Sequence, residues 1–285
     1  MAIKVVVDSA SDVDAEEAKA LGITLLSMQI QFKDEEFLDG VDLTHRRFFE
    51  KLIESDDLPK TSQINEFRFE ECFTQLTAGG DEVISIVISS KLSGTYDSAC
   101  KAAAKFDGKV FVVDSLNATI GERILLQYCM RLIEEGRTAS EIVDILNDAK
   151  HNIKLLALVG TLKYLQKGGR ISKTTAFAGE LLNVRPVVAV EDGEVKLIGK
   201  ALGSNKGNNL LDRLVENSGG IDFNLPYAVA YSGLDDSVLN KYLSDSVHHY
   251  EGKTDKVPVY MIGSTIGTHV GPGAIAVAFF SGENK

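Results

Sequence analysis

The side chains that could do chemistry in this sequence are neutral hydrogen-bond donors in predicted loops. They are Thr61, Ser62, Ser93, Thr95, Ser115, Thr119 and His269. Hydroxyl and imidazole groups can bind a carboxylate, and the backbone N–H groups of neighbouring glycines can add to them. Because these donors carry no fixed charge, they suit a ligand whose carboxylate must later react. The set therefore predicts a carboxylate-binding site.

The strongest local pattern lies in residues 83–99. An apolar run over 83–88 ends in Ser89 and Ser90, and Ser93 and Thr95 flank Gly94 before a helical pattern. Strand, polar loop and helix N-terminus in this order are typical of ligand sites at the carboxyl ends of strands in α/β sheets. An alternative stays open, in which Ser93 or Thr95 only caps the helix.

His269 and a basic cluster around Arg170 are also candidate functional groups, and each has a simpler structural interpretation. His269 lies in a Gly/Thr-rich segment, where a histidine is more often a packing residue or an exposed group than a ligand contact. Arg170 lies with Lys163, Lys167 and Lys173 in a basic cluster within an acidic chain. That cluster predicts either a docking patch or phosphate contact, or simply a solvated loop face.

Composition and missing motifs exclude several classes of protein. The net charge of the 285-residue chain is -11, which argues against a nucleic-acid partner. Nucleophile-elbow, phosphate-loop, dinucleotide and zinc-protease motifs are absent, so no cofactor and no metal are predicted. The three cysteines are scattered, which favours buried thiols in a reducing cytoplasm. The start has no signal-peptide pattern, and no apolar run reaches membrane-spanning length.

The predicted order of strands and helices that positions these residues changes near residue 153. Before it, apolar strands alternate with amphipathic helices such as residues 119–134, which predicts a doubly wound parallel sheet. Strands ending at Asp8-Ser9 and Asp114-Ser115 are expected to meet on one rim of that sheet. We therefore predict an α/β domain over residues 1–153.

The second half has an antiparallel component. Asp192-Gly193 between two apolar runs is a strong hairpin signal. We predict a second α/β domain with a mixed, partly antiparallel sheet over residues 154–285. The remaining local predictions are an exposed turn over 33–42, loops over 59–63 and 263–273, and a short apolar helix over 174–182.

Four spaced motifs, taken together, carry a family resemblance over essentially the whole chain. They are Thr61-Ser62-Gln63 after Pro59, Ser89-Ser90-x-x-Ser93-Gly94-Thr95, Leu162-x-Tyr164-Leu165-x-x-Gly168-Gly169-Arg170-Ile171, and Ile262-Gly263-x-x-x-Gly267-x-His269-x-Gly271-Pro272-Gly273. In this order they resemble the DegV family, and Val7-Asp8-Ser9 near the start fits it as well.

The resemblance implies a two-domain α/β protein that holds a long-chain fatty acid between its domains. Members of this family act as the non-catalytic, acyl-carrying subunit of bacterial fatty acid kinase and present the carboxylate to a separate ATP-dependent kinase. Transient contact with a membrane surface is compatible with that role, and the oligomeric state stays open. Carried over to this sequence, the ligand-binding residues are Thr61, Ser62, Ser93, Gly94, His269 and Gly271.

The resemblance also gives expectations for the acyl chain and the partner. The candidate tunnel walls are Ile30, Phe177, Leu181, Val188 and Ile266, each of which has ordinary core as its simpler interpretation. Arg170 and Lys173 are the candidate docking residues near the mouth. Leu202 stands where the family often has an arginine. If that arginine helps the kinase subunit to dock or contacts phosphate, this protein binds a fatty acid without presenting it to a kinase in the usual way. The rival hypotheses are a Ser93/His269 hydrolase and a binding module for another anionic small molecule.

Overall fold

The computed structural model describes residues 2–55, 57–172 and 183–282, so the helix predicted over 174–182 lies outside the described residues. The strands are β1 (Ile3–Asp8), β2 (Thr24–Leu26), β3 (Gln29–Phe32), β4 (Glu35–Leu38), β5 (Lys60–Ser62), β6 (Glu82–Val87), β7 (Val110–Asp114), β8 (Ile153–Leu158), β9 (Val184–Glu191), β10 (Glu194–Leu202), β11 (Tyr227–Tyr231), β12 (Val259–Met261) and β13 (Ile275–Phe280). The helices are α1 (Ala15–Leu21), α2 (His45–Glu54), α3 (Glu66–Thr77), α4 (Thr95–Ala103), α5 (Thr119–Glu134), α6 (Ala139–Ala149), α7 (Lys163–Lys167), α8 (Ser204–Asn217), α9 (Ser237–Asp245), α10 (Val247–Tyr250) and α11 (Ser264–Val270). None of these helices combines the length and the apolar character needed to cross a membrane.

The first half contains a four-stranded parallel sheet in the order β2-β1-β6-β7. Its strands are short apolar runs, and Val6, Ile84 and Val113 are completely buried. A parallel sheet covered on both faces needs such runs rather than an alternating pattern. Helices α3 to α6 pack against it. The predicted doubly wound arrangement is confirmed.

The second half is built on a six-stranded mixed sheet in the order β10-β9-β8-β13-β11-β12. Only the β11–β12 pair is parallel among these described strands. β9 and β10 form the predicted hairpin, in which Asp192 and Gly193 have φ values of 52° and 82°. Two successive positive φ angles are typical of the type I′ turn that matches strand twist.

Helix α5 lies between the two sheets. It contacts β6 of the parallel sheet and β8, β11 and β13 of the mixed sheet. Its buried side chains belong to one hydrophobic core that contains Ile84 and Ala276 alike. The division into residues 1–153 and 154–285 stays a proposal, which the start of β8 at Ile153 supports.

Three segments expected to be irregular contain regular structure. The turn predicted over 33–42 is interrupted by β4, with turn residues on both sides of it, and the loop predicted over 59–63 was wrong, because β4 and β5 flank β3 in a small antiparallel sheet. The predicted loop over 263–273 was also wrong, because residues 264–270 form α11. Glycine and proline clusters usually mark turns, but here tertiary contacts outweigh that local preference.

Candidate functional site

A cavity of about 230 Å³ lies between the parallel-sheet half and one face of the mixed sheet. Its floor includes Val188, Ala157 and Ala276, which are directly paired neighbours across β9, β8 and β13. Ala189 and Ala274 line it as well. Because alanine fills little volume above a strand, this row of small side chains leaves an apolar space where larger residues would close the core.

The roof of the cavity comes from both halves of the chain. Met28, Ile88 and Leu92 contribute from the first half, and Ile266 and Val270 contribute from α11. Val188 and Ile266, two of the predicted wall residues, therefore line the cavity. The polar lining residues are Thr61, Ser62, Gln63, Ser93, Thr119, Arg170, Thr265 and His269.

His269 joins the two halves of the site. Its Nε2 lies 3.0 Å from Thr61 Oγ1, and one of the two atoms donates to the other. Burial and, to a smaller extent, the positive charge of Arg170 together lower the pKa of His269 to about 4. The imidazole is therefore neutral near pH 7. Its Nδ1 is buried, has no hydrogen-bond partner among the residues that the structure describes, and faces Gly168, where any Cβ would lie 2.2 Å away.

The hydroxyl loop before α4 is arranged around Ser93. Ser93 Oγ lies 2.9 Å from Thr95 Oγ1 and accepts from Thr95 N–H at 3.2 Å. Thr95 is completely buried, and its Oγ1 also accepts from Ile64 N–H. Gly94 occupies the N-cap position of α4 with no side-chain cap bond. Ser93 is thus part of the cavity wall, whereas Thr95 supports the loop.

Gly94 is required by a close approach. A Cβ at this position would lie 2.2 Å from Gln63 Oε1, and Gln63 Nε2 donates to the carbonyl of Gly94. The glycine allows β5 and the following turn to pack onto the Ser93 loop. In this way Thr61, Ser62 and Ser93 come to line the same cavity.

Arg170 supplies a cation that the neutral donor set lacks. Its Nε donates to the carbonyl of Leu92 and its Nη1 to the carbonyl of Gly168. Burial lowers the pKa of Arg170 from its usual value, but an arginine stays protonated in proteins. Arg170 was predicted to lie in a docking patch or to contact phosphate, with a solvated loop face as the alternative, and the structure places it on the cavity wall.

Several predicted site residues lie elsewhere. Ile30 belongs to a separate core cluster with Phe48 and Phe49, so it is not a cavity wall residue. Gly271, with φ of 69°, packs against the Tyr164 ring, where a Cβ would lie 2.3 Å from the nearest atom. Leu202 is 62% exposed at the end of β10. Phe177, Leu181 and Lys173 lie outside the described residues.

The remaining candidate hydroxyls have partners within the protein. Ser115 is buried and donates to the carbonyl of Asn117. Thr119 lines the cavity but donates to Asp12. Thr265, which the sequence analysis did not select, lies 3.5 Å from Ser9 through its hydroxyl. Its i, i+4 spacing from His269 could have identified it, had α11 been recognised as a helix.

Comparison with known proteins identifies the family. The family model described as "Uncharacterised protein, DegV family" matches residues 2–282. The chain belongs to the DegV family. A DegV domain-containing protein of Caldanaerobacter subterraneus is 33% identical over 280 residues, which cover 97% of this chain and 98% of the relative.

Solved DegV structures have the same fold as this chain. A Thermus thermophilus structure described as "Fatty Acid Binding of a DegV family Protein" aligns with a TM-score of 0.87 at 28% identity, covering 99% of this chain and 100% of that one. A stearic acid-binding protein of Eubacterium ventriosum aligns with a TM-score of 0.85 at 26% identity, covering 98% of this chain and 97% of that one. The predicted family and fold class are both confirmed.

Buried acids fix the helix that carries His269 in this DegV chain. Asp39 is completely buried, and its two carboxylate oxygens accept from the backbone N–H groups of Ser264 and Thr265. Asp12 accepts from Gly263 N–H, one residue earlier. These carboxylates satisfy the free N–H groups at the start of α11 and oppose its positive end.

We expect Asp39→Asn to lower the free energy of unfolding by about 1–2 kcal/mol, because an amide replaces a charged cap with one oxygen and an unmatched N–H donor. Chemical denaturation measures this change. Asp42→Asn is the matched control, since Asp42 is exposed and accepts only from Leu38 N–H. Equal stability of the two variants would contradict the capping role of Asp39.

Proposed function

We propose that this protein binds a long-chain fatty acid, with the acyl chain in the apolar cavity and the carboxylate near Thr61, Ser62, Ser93 and His269. The observation that supports this proposal most strongly is the cavity with its alanine-rich floor, whose wall includes several hydrogen-bond donors. The stearic acid-binding relative and the Thermus thermophilus structure support the same ligand class. Here the protein acts as a carrier and not as the catalyst.

The headgroup site combines neutral donors with one cation. The hydroxyls of Thr61 and Ser93 and the neutral imidazole of His269 can bind the two carboxylate oxygens, and Arg170 opposes their charge. Because Arg170 already donates to two backbone carbonyls, its guanidinium is held in place before the ligand arrives. Such preorganisation lowers the entropy cost of binding.

The acyl chain supplies most of the affinity in this proposal. Each methylene removed from water contributes about 0.8 kcal/mol, so about fifteen of them give on the order of 10 kcal/mol before entropy costs. This free energy is gained only if the channel is narrow and dry enough to remove the methylenes from water. The floor residues Val188, Ala157 and Ala276 provide an apolar surface continuous across three strands.

The geometry argues against the two rival functions. A serine hydrolase needs a base hydrogen-bonded to the nucleophile and an acid that orients the base. Here His269 Nε2 pairs with Thr61, while its Nδ1 has no partner. A phosphorylated metabolite would need a polar enclosure, whereas the floor and roof of this cavity are apolar.

We further propose that the carboxylate is presented to a separate ATP-dependent fatty acid kinase. The family resemblance supports this role, and Arg170 supplies a structural link. Besides the cavity, Arg170 lines an outer cleft together with Lys91 and Lys196. This cleft also contains Glu194, and Lys196 pairs with Glu191. Lys91 and Arg170 are therefore the cations through which it could hold the phosphate-bearing face of a partner. Leu202 lies outside both the cavity and this cleft.

Mass spectrometry of an organic extract of the purified, folded protein tests the ligand class. We expect one fatty acid per chain, and its mass gives the chain length and unsaturation. The extract should be compared with one from heat-denatured, washed protein to exclude loosely bound lipid. A clean extract together with no uptake of added palmitate or oleate would contradict the proposal.

Ser93→Ala should weaken fatty acid binding by about tenfold or more, because a hydrogen bond to a charged group contributes about 1.5–3 kcal/mol. Displacement of a fluorescent fatty acid measures the change. Ser90→Ala is the matched control, since Ser90 lies in the same loop and does not line the cavity. Full affinity in Ser93→Ala, with a normal melting curve, would remove Ser93 from the headgroup site.

A further inference from the structure

Four metal-ligating side chains meet on the second half of the chain, away from the fatty acid cavity. Asp212 and Glu216 lie one turn apart on α8, and His248 and His249 are adjacent on α10. One ligand atom from each of the four lies within 4.8 Å of the others. None of the four lines the cavity.

The spacing of the ligand atoms suits a tetrahedral ion. His248 Nε2 lies 3.5 Å from Asp212 Oδ2 and 3.5 Å from Glu216 Oε1, and His249 Nε2 lies 2.8 Å from Asp212 Oδ1. Zinc binds nitrogen and oxygen ligands at about 2.0–2.2 Å in a tetrahedron, which places neighbouring ligand atoms about 3.3 Å apart. Two of the three observed distances are slightly longer than that value and one is shorter, and all four ligand atoms lie within 4.8 Å of one another.

A second observation points to a bound cation rather than to a plain ion pair. His249 is only 8% exposed, and its Nε2 lies 2.8 Å from Asp212 Oδ1. Both atoms are buried, yet neither makes an aligned hydrogen bond with any residue that the structure describes. Two buried polar atoms in contact without an aligned proton are costly, and a metal ion that accepts a lone pair from each removes that cost.

We propose that Asp212, Glu216, His248 and His249 bind one Zn²⁺ ion, which joins α8 to α10. Mixed imidazole and carboxylate ligands are typical of zinc sites. The site would act as a structural clip, because α10 is only four residues long and a helix of that length has little stability of its own. Zinc binding at this site is independent of the proposed fatty acid function.

No metal was predicted, because the sequence has no closely spaced set of Cys and His residues. The ligands come from two segments more than thirty residues apart, about 212–216 and 248–249. The i, i+4 spacing of Asp212 and Glu216 places both on one helix face, but the same spacing is common on solvated helices. Only the packing of α10 beside α8 brings the two histidines to them.

The test uses the full chain without an affinity tag, freed of metal by a chelator. Isothermal titration calorimetry with ZnCl₂ should show one equivalent bound, and Zn²⁺ should raise the melting temperature. Co²⁺ in place of Zn²⁺ should give the intense visible absorption of a tetrahedral site. His248→Ala and Glu216→Gln alter exposed groups, so folding should survive, and each should weaken Zn²⁺ binding at least about tenfold.

Two control variants make the outcome decisive. His151→Ala removes an exposed histidine outside the cluster, and Cys100→Ser removes a partly exposed thiol, so both should bind Zn²⁺ like the unaltered protein. Absence of saturable binding would overturn the proposal. So would full binding in both His248→Ala and Glu216→Gln, or a loss of binding in either control.

Discussion

Ala157→Phe is expected to abolish stoichiometric fatty acid binding while leaving the fold intact. Ala157 lies at the centre of the cavity floor, between Val188 and Ala276 on the neighbouring strands. It is only partly buried, so a larger side chain can enter the cavity instead of displacing packed core. A phenyl ring there would exclude about four methylenes, or about 3 kcal/mol, which is at least about a 100-fold loss of affinity.

Fatty acid content by mass spectrometry and displacement of a fluorescent fatty acid both measure this effect. Ala104→Phe is the matched control, because Ala104 is exposed just after α4 and does not line the cavity. Near-normal affinity in Ala157→Phe would show that the acyl chain does not run over this floor. A collapse of the melting temperature would instead indicate overpacking, and Ala157→Val then gives a milder test of the same site.

Glu122→Gln is expected to raise the melting temperature by about 5 °C at pH 7. Glu122 is completely buried on α5, and no described residue forms a hydrogen bond with either carboxyl oxygen. Burial raises its pKa well above 4.5, and the nearby carboxyls of Asp8, Asp12 and Asp114 raise it further. Glutamine cannot ionise, so Glu122→Gln removes the cost of holding an acid neutral in the folded chain at a pH where the unfolded chain releases the proton. For a chain of this size, each kcal/mol of added stability raises the melting temperature by about 2–4 °C.

The pH dependence of that gain identifies its cause. Below pH 4.5 Glu122 is protonated in the folded and the unfolded chain, so Gln brings no electrostatic advantage there. Above pH 4.5 the unfolded chain releases the proton more readily than the folded chain, so the advantage of Gln grows as the pH rises toward the raised pKa of Glu122 in the folded chain. Burial raises the pKa values of Asp12 and Asp8 to about 6 and about 7. Both groups therefore lower the stability of the unaltered protein and of Glu122→Gln as the pH rises.

Thermal unfolding between pH 4 and pH 8 measures the difference between the two proteins. Glu134→Gln provides the control, since Glu134 is exposed on the same helix. A gain in Glu122→Gln that is constant with pH would point to packing rather than to charge. A loss of stability at pH 7 would show that Glu122 has a partner when the protein is in solution.

Much of the fold followed from local patterns. The apolar runs that became β1, β6 and β7 have no alternation, which is characteristic of a parallel sheet buried on both faces. The predicted helix over residues 119–134 has the bounds of α5, and Asp192-Gly193 forms the expected hairpin turn. These features depend on residues close together in the chain, so the sequence displays them directly.

The candidate site was predicted only in part. The hydroxyl loops supplied Thr61, Ser62 and Ser93, and the structure brings all three to one cavity. The helical position of His269 could not be predicted, because α11 begins on carboxylates of Asp12 and Asp39, more than two hundred residues earlier. Glycine-rich segments have little helical preference of their own, so such long-range caps decide their conformation.

By itself, the sequence determined the family, the α/β fold class and the donor types available for a carboxylate. Tertiary structure alone decided which apolar residues became walls and which became core, since Val188 and Ile30 have the same chemistry and only Val188 lines the cavity. It also brought the cation of Arg170 beside a neutral His269. The physical reason is that burial and charge proximity depend on the packing of distant segments, whereas strand and helix patterns depend on neighbours in the chain.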